Sequence, residues 1–210
     1  MMAPPDANRS LVVAIGGSAG SINSLMAILA ALPSDFAAIL LVAIHRRYGR
    51  KSLLPAILRR SIRLKVVEIF DSATLETATV YISEPSEHLS LCGNGYHARL
   101  LPDPDRLRRN QSIDELFISL AEVAGASAVG VLLSGLLCDG TEGLRAIKRA
   151  GGITIVQDPA DAKYEAMPAN ALRAVAIDYV LDHRLIAPVL IGLSARHASN
   201  GQGDQPLPAR

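Results

Sequence analysis

Short, almost wholly apolar runs alternate along this chain with longer stretches whose apolar residues recur at helical spacing. Leu11 to Ile15 is such a run, rich in Val and Ile, and it stops at Gly16-Gly17. Ile22 to Leu32 then carries apolar residues at helical spacing and ends at Pro33, so the pattern predicts strand, tight turn and helix. The unit repeats, with Ala38 to Ile44 as a second buried strand, Ser52 to Arg60 as a helix with Arg59-Arg60 at its end, and Leu64 to Phe70 as a third strand. Strands and helices alternating at this length imply right-handed crossovers and a parallel sheet.

The middle of the chain changes character. Thr79 to Ile82, His88 to Cys92 and Tyr96 to Leu101 are short alternating stretches, the last two set around Gly93-Asn94-Gly95, which is a hairpin signal. A polar loop from Pro102 to Gln111 leads to a helix over Ser112 to Val123, with Ser112 as expected N-cap and Glu115 at the capping-box position. The parallel pattern then resumes: strand Ala128 to Leu133, Gly-bracketed loop Ser134 to Gly140, helix Thr141 to Arg149, and strand Gly152 to Val156. Helices at Met167 to Val175 and Leu185 to Leu193 flank a short strand at Asp178 to Leu181. The predicted fold class is α/β, a doubly wound and mostly parallel sheet between two helical layers, with a β-hairpin insertion. Residues 1–10 are expected to be a flexible start, 11–194 one catalytic domain and 195–210 a disordered tail.

Composition narrows the class. Of 210 residues half are hydrophobic but only 4% are aromatic, so Ala, Val, Ile and Leu must fill the core, as in parallel strands buried on both faces. With 21 basic and 20 acidic residues the net charge of +1 creates no global field for nucleic acid or an anionic membrane. Cys92 and Cys138 form neither a disulfide framework nor paired metal-ligand spacing, which fits a reducing cytoplasm. The start is too short and polar for a signal peptide, and no apolar run approaches the roughly 18 residues that span a bilayer.

Candidate chemistry gathers at strand ends, where helix N-termini and loops of a parallel sheet converge. The first strand is followed by Gly16-Gly17-Ser18-Ala19-Gly20-Ser21, the second by His45-Arg46-Arg47, and a later one by Ser134-Gly135-Leu136-Leu137-Cys138-Asp139-Gly140. A hydroxyl, an imidazole and a carboxylate are the parts of a hydrolytic triad: Ser18 attacks, His45 takes its proton, and Asp139 fixes the imidazole. The backbone N–H groups of Ala19 and Leu136 are the expected oxyanion donors. Each group also has an ordinary reading, since a serine among glycines often caps a helix or binds phosphate and Asp-Gly often makes a turn.

Four blocks together resemble a known family. These are Ala14-Ile15-Gly16-Gly17-Ser18-Ala19-Gly20, Ser112-Ile113-Asp114-x-Leu116-Phe117, Ser134-Gly135-x-x-x-Asp139-Gly140-x-x-Gly143, and Gln157-Asp158 followed by Ala166-Met167-Pro168-x-x-Ala171. In this order they are similar to the protein-glutamate methylesterase domain of bacterial chemotaxis, over about Leu11 to Leu193. The resemblance implies the same roles for Ser18, His45 and Asp139 and no cofactor. No metal is expected either, because His88, His97, His183 and His197 share no close spacing with one another or with a cysteine. It also implies a γ-glutamyl methyl ester on methylated chemoreceptor cytoplasmic helices, or on a related signalling protein, as substrate, with deamidation of glutamine as a second reaction. The chain would then be cytoplasmic and reach the membrane only through the receptor.

The sequence departs from that pattern in places. Ala19 stands where Thr is common, Arg46-Arg47 replaces Met-Pro as an expected substrate rim, and Leu136-Leu137-Cys138 replaces a small Gly-rich segment. Many relatives carry an N-terminal phosphorylation-receiver domain, and no receiver domain is expected in the few residues before the first strand. Two other readings start from the same residues. A nucleotide site is disfavoured because Ser18 and Ser21 break the glycine fingerprint and His45, not an acid, ends the second strand. A catalytically degenerate adaptor would use Arg46, Arg47, Arg50 and Lys51, with Arg106, Arg108 and Arg109, as a docking rim.

Overall fold

The computed structural model describes residues 10–46, 52–85, 87–93, 96–103 and 111–201. Its main sheet has seven strands, all parallel, in the order β10-β9-β8-β1-β2-β5-β3. These are β1 Leu11–Gly17, β2 Ala38–Ile44, β3 Lys65–Ile69, β5 Thr79–Ser83, β8 Ala128–Leu132, β9 Ile153–Gln157 and β10 Tyr179–Leu181. A second sheet of three antiparallel strands is built from β4 Ser72–Thr74, β7 His97–Pro102 and β6 Glu87–Cys92, with β7 in the middle. The six α-helices among the described residues are α1 Ser21–Ala31, α2 Leu54–Ser61, α3 Ser112–Ala124, α4 Thr141–Arg149, α5 Ala166–Ala174 and α6 His183–Gly201.

Alternation along β1 divides the interior. Leu11, Val13 and Ile15 face one core, where they meet Leu25, Ile28 and Leu29 of α1, Leu58 of α2, and Ile186 and Leu190 of α6. Val12 and Ala14 face the other, shared with Phe117 of α3, Leu144 and Ile147 of α4, Met167 of α5, and Leu89 and Ala98 of the small sheet. A strand buried on both faces reads as a continuous apolar run because each face has its own helical layer to fill. The sheet is therefore doubly wound between two layers, as expected.

The structure corrects four features of the sequence reading. Thr79–Ser83 does not belong with the antiparallel stretches but lies in the main sheet between β2 and β3, all five residues buried. Its five residues were too few to separate alternation from a continuous buried run. The insertion is not a lone hairpin, since Ser72–Thr74 adds a third strand by pairing with β7. Residues 94 and 95 of the turn lie outside the described residues, although Cys92 and His97 on either side of it are paired.

The third correction concerns α3, where Ser112 is already helical and the N-cap residue, Gln111, makes no side-chain capping bond. Its orphan amides are served from elsewhere in the chain. The fourth concerns α6, which continues to Gly201, so residues 195–201 are helical rather than part of a tail. The apolar rhythm ends at Leu193 because the following turns leave the body of the protein, while their composition still suits a helix. Residues 202–210 and 1–9 lie outside the described residues.

Helices α3 and α4 cross in close contact near the strand ends. A Cβ built on Gly143 would lie 2.3 Å from Cβ of Phe117 and 3.3 Å from Cα of Asp114. The helices meet through a bare backbone, and the Gly143 N–H donates to Oδ1 of Asp114 at 2.7 Å. Burial raises the Asp114 carboxyl to about 6 from an ordinary 3.8, with the nearby charges of Asp139 and Glu142 adding to the rise and the amides of Gly143 and Gly140 opposing it.

Gly143→Ala should destabilise the protein by about 1–3 kcal/mol or more, because neither Phe117 nor the α3 backbone has room to yield. Gly192→Ala on α6, where an added Cβ meets nothing within 4 Å, should instead stabilise by about 0.5–1 kcal/mol. Denaturant midpoints of the two variants with unchanged m-values would check the contrast, and a loss in both would overturn the packing argument.

A pH dependence follows from Asp114. The folded protein holds its proton more tightly than the unfolded chain, so this contribution is fully present below about 3.8 and is lost as pH rises through about 6. Asp114→Asn keeps an acceptor for the Gly143 N–H but has no charge to desolvate. Relative to wild type it should gain stability, on the order of 1–2 kcal/mol, between pH 4 and pH 7. Parallel stability curves for the two proteins would contradict this.

Candidate active site

The parallel ladder itself assembles the site. The last pairs of the ladder are Gly17 with Ile44 across β1 and β2, and Gly16 with Leu132 across β1 and β8, so three strands end side by side. The ladder then runs on into the loops: the His45 N–H donates to the Gly17 carbonyl at 3.0 Å, the Leu133 N–H to Gly16 at 2.9 Å, and the Ser18 N–H to Ser134 at 2.9 Å. Ser18 is thereby fixed between the segment that carries His45 and the one that leads to Asp139.

The glycines around Ser18 are there for space and for backbone shape. Gly20 has φ of 77°, in the left-handed region, and begins α1 immediately behind the serine. A Cβ on Gly135 would lie 2.6 Å from Sδ of Met167 and 2.9 Å from Cβ of Ser18, so the opposing loop passes directly against the serine side chain.

His45 joins the other two groups. Its Nδ1 is 3.2 Å from Oγ of Ser18 and its Nε2 is 2.6 Å from Oδ2 of Asp139. The Asp139 side chain is almost wholly buried, and both its oxygens accept N–H groups from the first turn of α3, Oδ2 from Ile113 at 3.1 Å and Oδ1 from Asp114 at 2.9 Å. The carboxylate therefore caps α3 across the fold, in place of the local capping box that the sequence suggested, and sits at the positive end of the helix dipole. Since Asp139 accepts, Nε2 of His45 is the donor, which leaves Nδ1 free to accept the serine proton.

A second set of contacts supports the loops. The buried Gln157 at the end of β9 accepts the Ser134 N–H at 2.9 Å and donates to Oγ of Ser24 at 3.1 Å and to Oδ2 of Asp161 at 2.7 Å. Oγ of Ser134 donates to the Ala19 carbonyl and accepts the Tyr164 N–H, both at 2.9 Å. Sequence reasoning named Gln157 only as part of a motif and gave Ser134 no role beyond its loop. Their amide and hydroxyl groups announce polarity but not which loop each will hold.

The remaining candidates fall differently. The N–H groups of Ala19 and Leu136 have no acceptor among the described residues, in contrast to that of Ser18, which Ser134 occupies. Arg46 turns back against the sheet end instead of projecting as a rim: Nε donates to the Ile44 carbonyl at 3.2 Å and Nη2 to that of Ser83. Burial lowers its guanidinium to about 10, against the opposing charges of Glu68 and Glu84. Arg47, Arg50, Lys51, Arg106, Arg108 and Arg109 lie outside the described residues.

Asp161, Asp182 and His183 bring ligand atoms within 4.8 Å of one another, a grouping that spacing among histidines and cysteines did not anticipate. All three have other duties here. Nδ1 of His183 is 2.9 Å from the Asp161 carboxylate, and Asp182 takes two bonds from the Arg184 guanidinium. Burial tends to raise Asp161, but hydrogen bonds from Gln157 and His183 outweigh it and hold the carboxyl below its ordinary value.

Comparison with known proteins assigns the chain to a family. The family described as CheB methylesterase matches residues 13–190. A Leptospira interrogans protein provisionally named protein-glutamate methylesterase/protein-glutamine glutaminase is 33% identical over 181 residues, which cover 86% of this chain and 93% of that protein. An Anaeromyxobacter dehalogenans protein-glutamate methylesterase/protein-glutamine glutaminase is 40% identical over 179 residues, covering 85% of this chain and 52% of its own length. The crystal structure of the Thermotoga maritima CheB methylesterase catalytic domain superposes with a TM-score of 0.81 at 30% identity, covering 88% of this chain and 99% of that one. The family match runs from β1 into α6 and takes in every strand end that carries Ser18, His45 and Asp139, so the chain belongs to the CheB methylesterase family.

Proposed function

We propose that this protein hydrolyses γ-glutamyl methyl esters on chemoreceptor cytoplasmic helices, with Ser18 as nucleophile, His45 as base and Asp139 as the group that orients the imidazole. The observation that carries the reading is the continuous chain of contacts from Ser18 Oγ through both nitrogens of His45 to a carboxylate fixed by two α3 amides. The names of the Leptospira and Anaeromyxobacter relatives supply the substrate class.

The chemistry follows from the geometry. Ser18 Oγ attacks the ester carbonyl as its proton moves to Nδ1 of His45, and the resulting imidazolium keeps its Nε2–H on Asp139. The tetrahedral oxyanion is met by the N–H groups of Ala19 and Leu136, which have no other acceptor among the described residues. Collapse expels methoxide, which takes the proton from Nδ1 and leaves as methanol. Water then attacks the acyl-serine with His45 as base, releasing glutamate and free Ser18. The same steps on glutamine expel ammonia and give deamidation. His45 and Ser18 exchange this proton directly, so apart from water the route uses only groups of this chain.

In this reading Arg46 shapes the sheet end beside His45 and does not meet the substrate as a free cation. No helix among the described residues is long and apolar enough to cross a membrane.

Methanol release from methylated receptor helices tests the proposal directly. Ser18→Ala should lower turnover by about three orders of magnitude or more while the protein keeps its thermal midpoint, and His45→Gln should behave alike. Asp139→Asn should lose about 10³–10⁴-fold in turnover and also some stability, since it sets an amide donor where the structure offers only donors. Retention of most activity in Ser18→Ala would reject the assignment.

A further inference from the structure

The loop between Ser134 and Asp139 is anchored at both ends and strained between them. At one end the Gly135 N–H donates to the Tyr164 carbonyl at 3.1 Å and its own carbonyl accepts the Met167 N–H at 3.0 Å. At the other the Cys138 carbonyl accepts the Thr141 N–H at 3.2 Å, and Asp139 is held by α3. Leu137, between these anchors, has φ of 67°. The left-handed region is costly for a side chain with a bulky Cβ substituent, and leucine lacks the local hydrogen bonding that lets Asn or Asp settle there. Nor does packing compensate, since Leu137 is 62% exposed.

One contact does bear on the strained residue. Nδ2 of Asn170, on α5, donates to the Leu137 carbonyl at 2.6 Å. The Asn170 amide has a defined orientation, because Oδ1 accepts from the Arg173 guanidinium, which can only donate. A single hydrogen bond and a single left-handed residue are of comparable free energy, so this bond is enough to decide which conformation the turn occupies.

We infer that Asn170 is a positioning residue: by holding the left-handed turn at Leu137 it keeps the Leu136 N–H facing the oxyanion that forms at Ser18. The inference rests on the esterase reading above. Its geometric basis is that the Gly135 backbone already lies against the Ser18 side chain, so the next N–H along the loop, that of Leu136, begins beside the nucleophile. Strain here has a use, because a donor fixed before the reaction needs no reorganisation when charge develops. An oxyanion donor acts on the transition state more than on the bound ester, so loosening it lowers kcat and leaves KM nearly unchanged.

The experiment measures kcat and KM for methyl ester hydrolysis by Asn170→Ala, Asn170→Asp and the double variant Asn170→Ala with Leu137→Gly. It also measures hydrogen exchange of the Gly135 and Thr141 amides, whose bonds to the Tyr164 and Cys138 carbonyls anchor the loop. Both single variants should lose about tenfold in kcat with KM within twofold, about 1.4 kcal/mol of transition-state stabilisation. Exchange at Gly135 and Thr141 should quicken several-fold at an unchanged thermal midpoint. Glycine at position 137 adopts the turn without strain, so the double variant should recover at least fivefold in kcat over Asn170→Ala. If wild type shows no hydrolysis that depends on Ser18, the esterase reading fails, and the exchange data still report whether Asn170 holds the turn. If hydrolysis depends on Ser18 but Asn170→Ala keeps wild-type kcat, or Leu137→Gly restores nothing, the positioning role is overturned.

Discussion

The carboxylate of Asp139 at the N-terminus of α3 is the contact on which the rest of the site depends. It joins three segments distant in sequence: the loop after β8, the first turn of α3 and the strand end that carries His45. A buried carboxylate is costly unless its lone pairs are met, and here two backbone amides and an imidazole N–H meet them. The helix gains in turn, because it lacks a capping side chain of its own and two of its orphan amides would otherwise lie unpaired against the sheet. In the proposed reaction one interaction thus serves both folding and chemistry, and removing it would harm both.

The same economy appears at the neighbouring helix. Asp114, whose N–H binds Asp139, offers its own carboxylate to the Gly143 N–H in the first turn of α4. Two acidic side chains therefore cap two helices in sequence, and the bare backbone of Gly143 lets α4 come close enough for the second cap. The raised carboxyl of Asp114 is the cost of placing it near Asp139 in a half-buried crossing. Neutral pH still leaves it mostly ionised, able to accept.

How much was legible in the sequence depended on whether a residue's partner lay nearby in the chain. Ala38–Ile44 and Thr141–Arg149 were read with the bounds the structure gives them, since a continuous apolar run and an amphipathic rhythm after Asp139-Gly140 are local signals. The strand ends that hold Ser18, His45 and Asp139 were legible for the same reason, once the parallel sheet was inferred. Thr79–Ser83 was misplaced because its neighbours in the sheet are set by chain crossover, which five residues do not encode. The cap of α3 was misread because Ser112 and Glu115 satisfied a local rule while the actual acceptor was 25 and 26 residues away. Arg46 looked like a surface charge by composition, yet the carbonyls of Ile44 and Ser83 draw it inward.

The orientation of His45 follows from these constraints. His45 is the first residue beyond β2, and its N–H is tied to the Gly17 carbonyl, so its Cβ emerges beside the strand end that bears Ser18. Nδ1, the ring nitrogen nearer the backbone, consequently reaches the serine, and the farther Nε2 extends to Asp139. Triads whose histidine enters from elsewhere can use the nitrogens in the opposite sense, because the chemistry requires only that one nitrogen be held as donor and the other left as acceptor. Here Asp139 decides the matter: with its oxygens already facing amide donors it can only accept, so the proton stays on Nε2 and Nδ1 is left for the serine. A helix terminus that needs an acceptor thereby fixes, through Asp139, the tautomer of a side chain on another element.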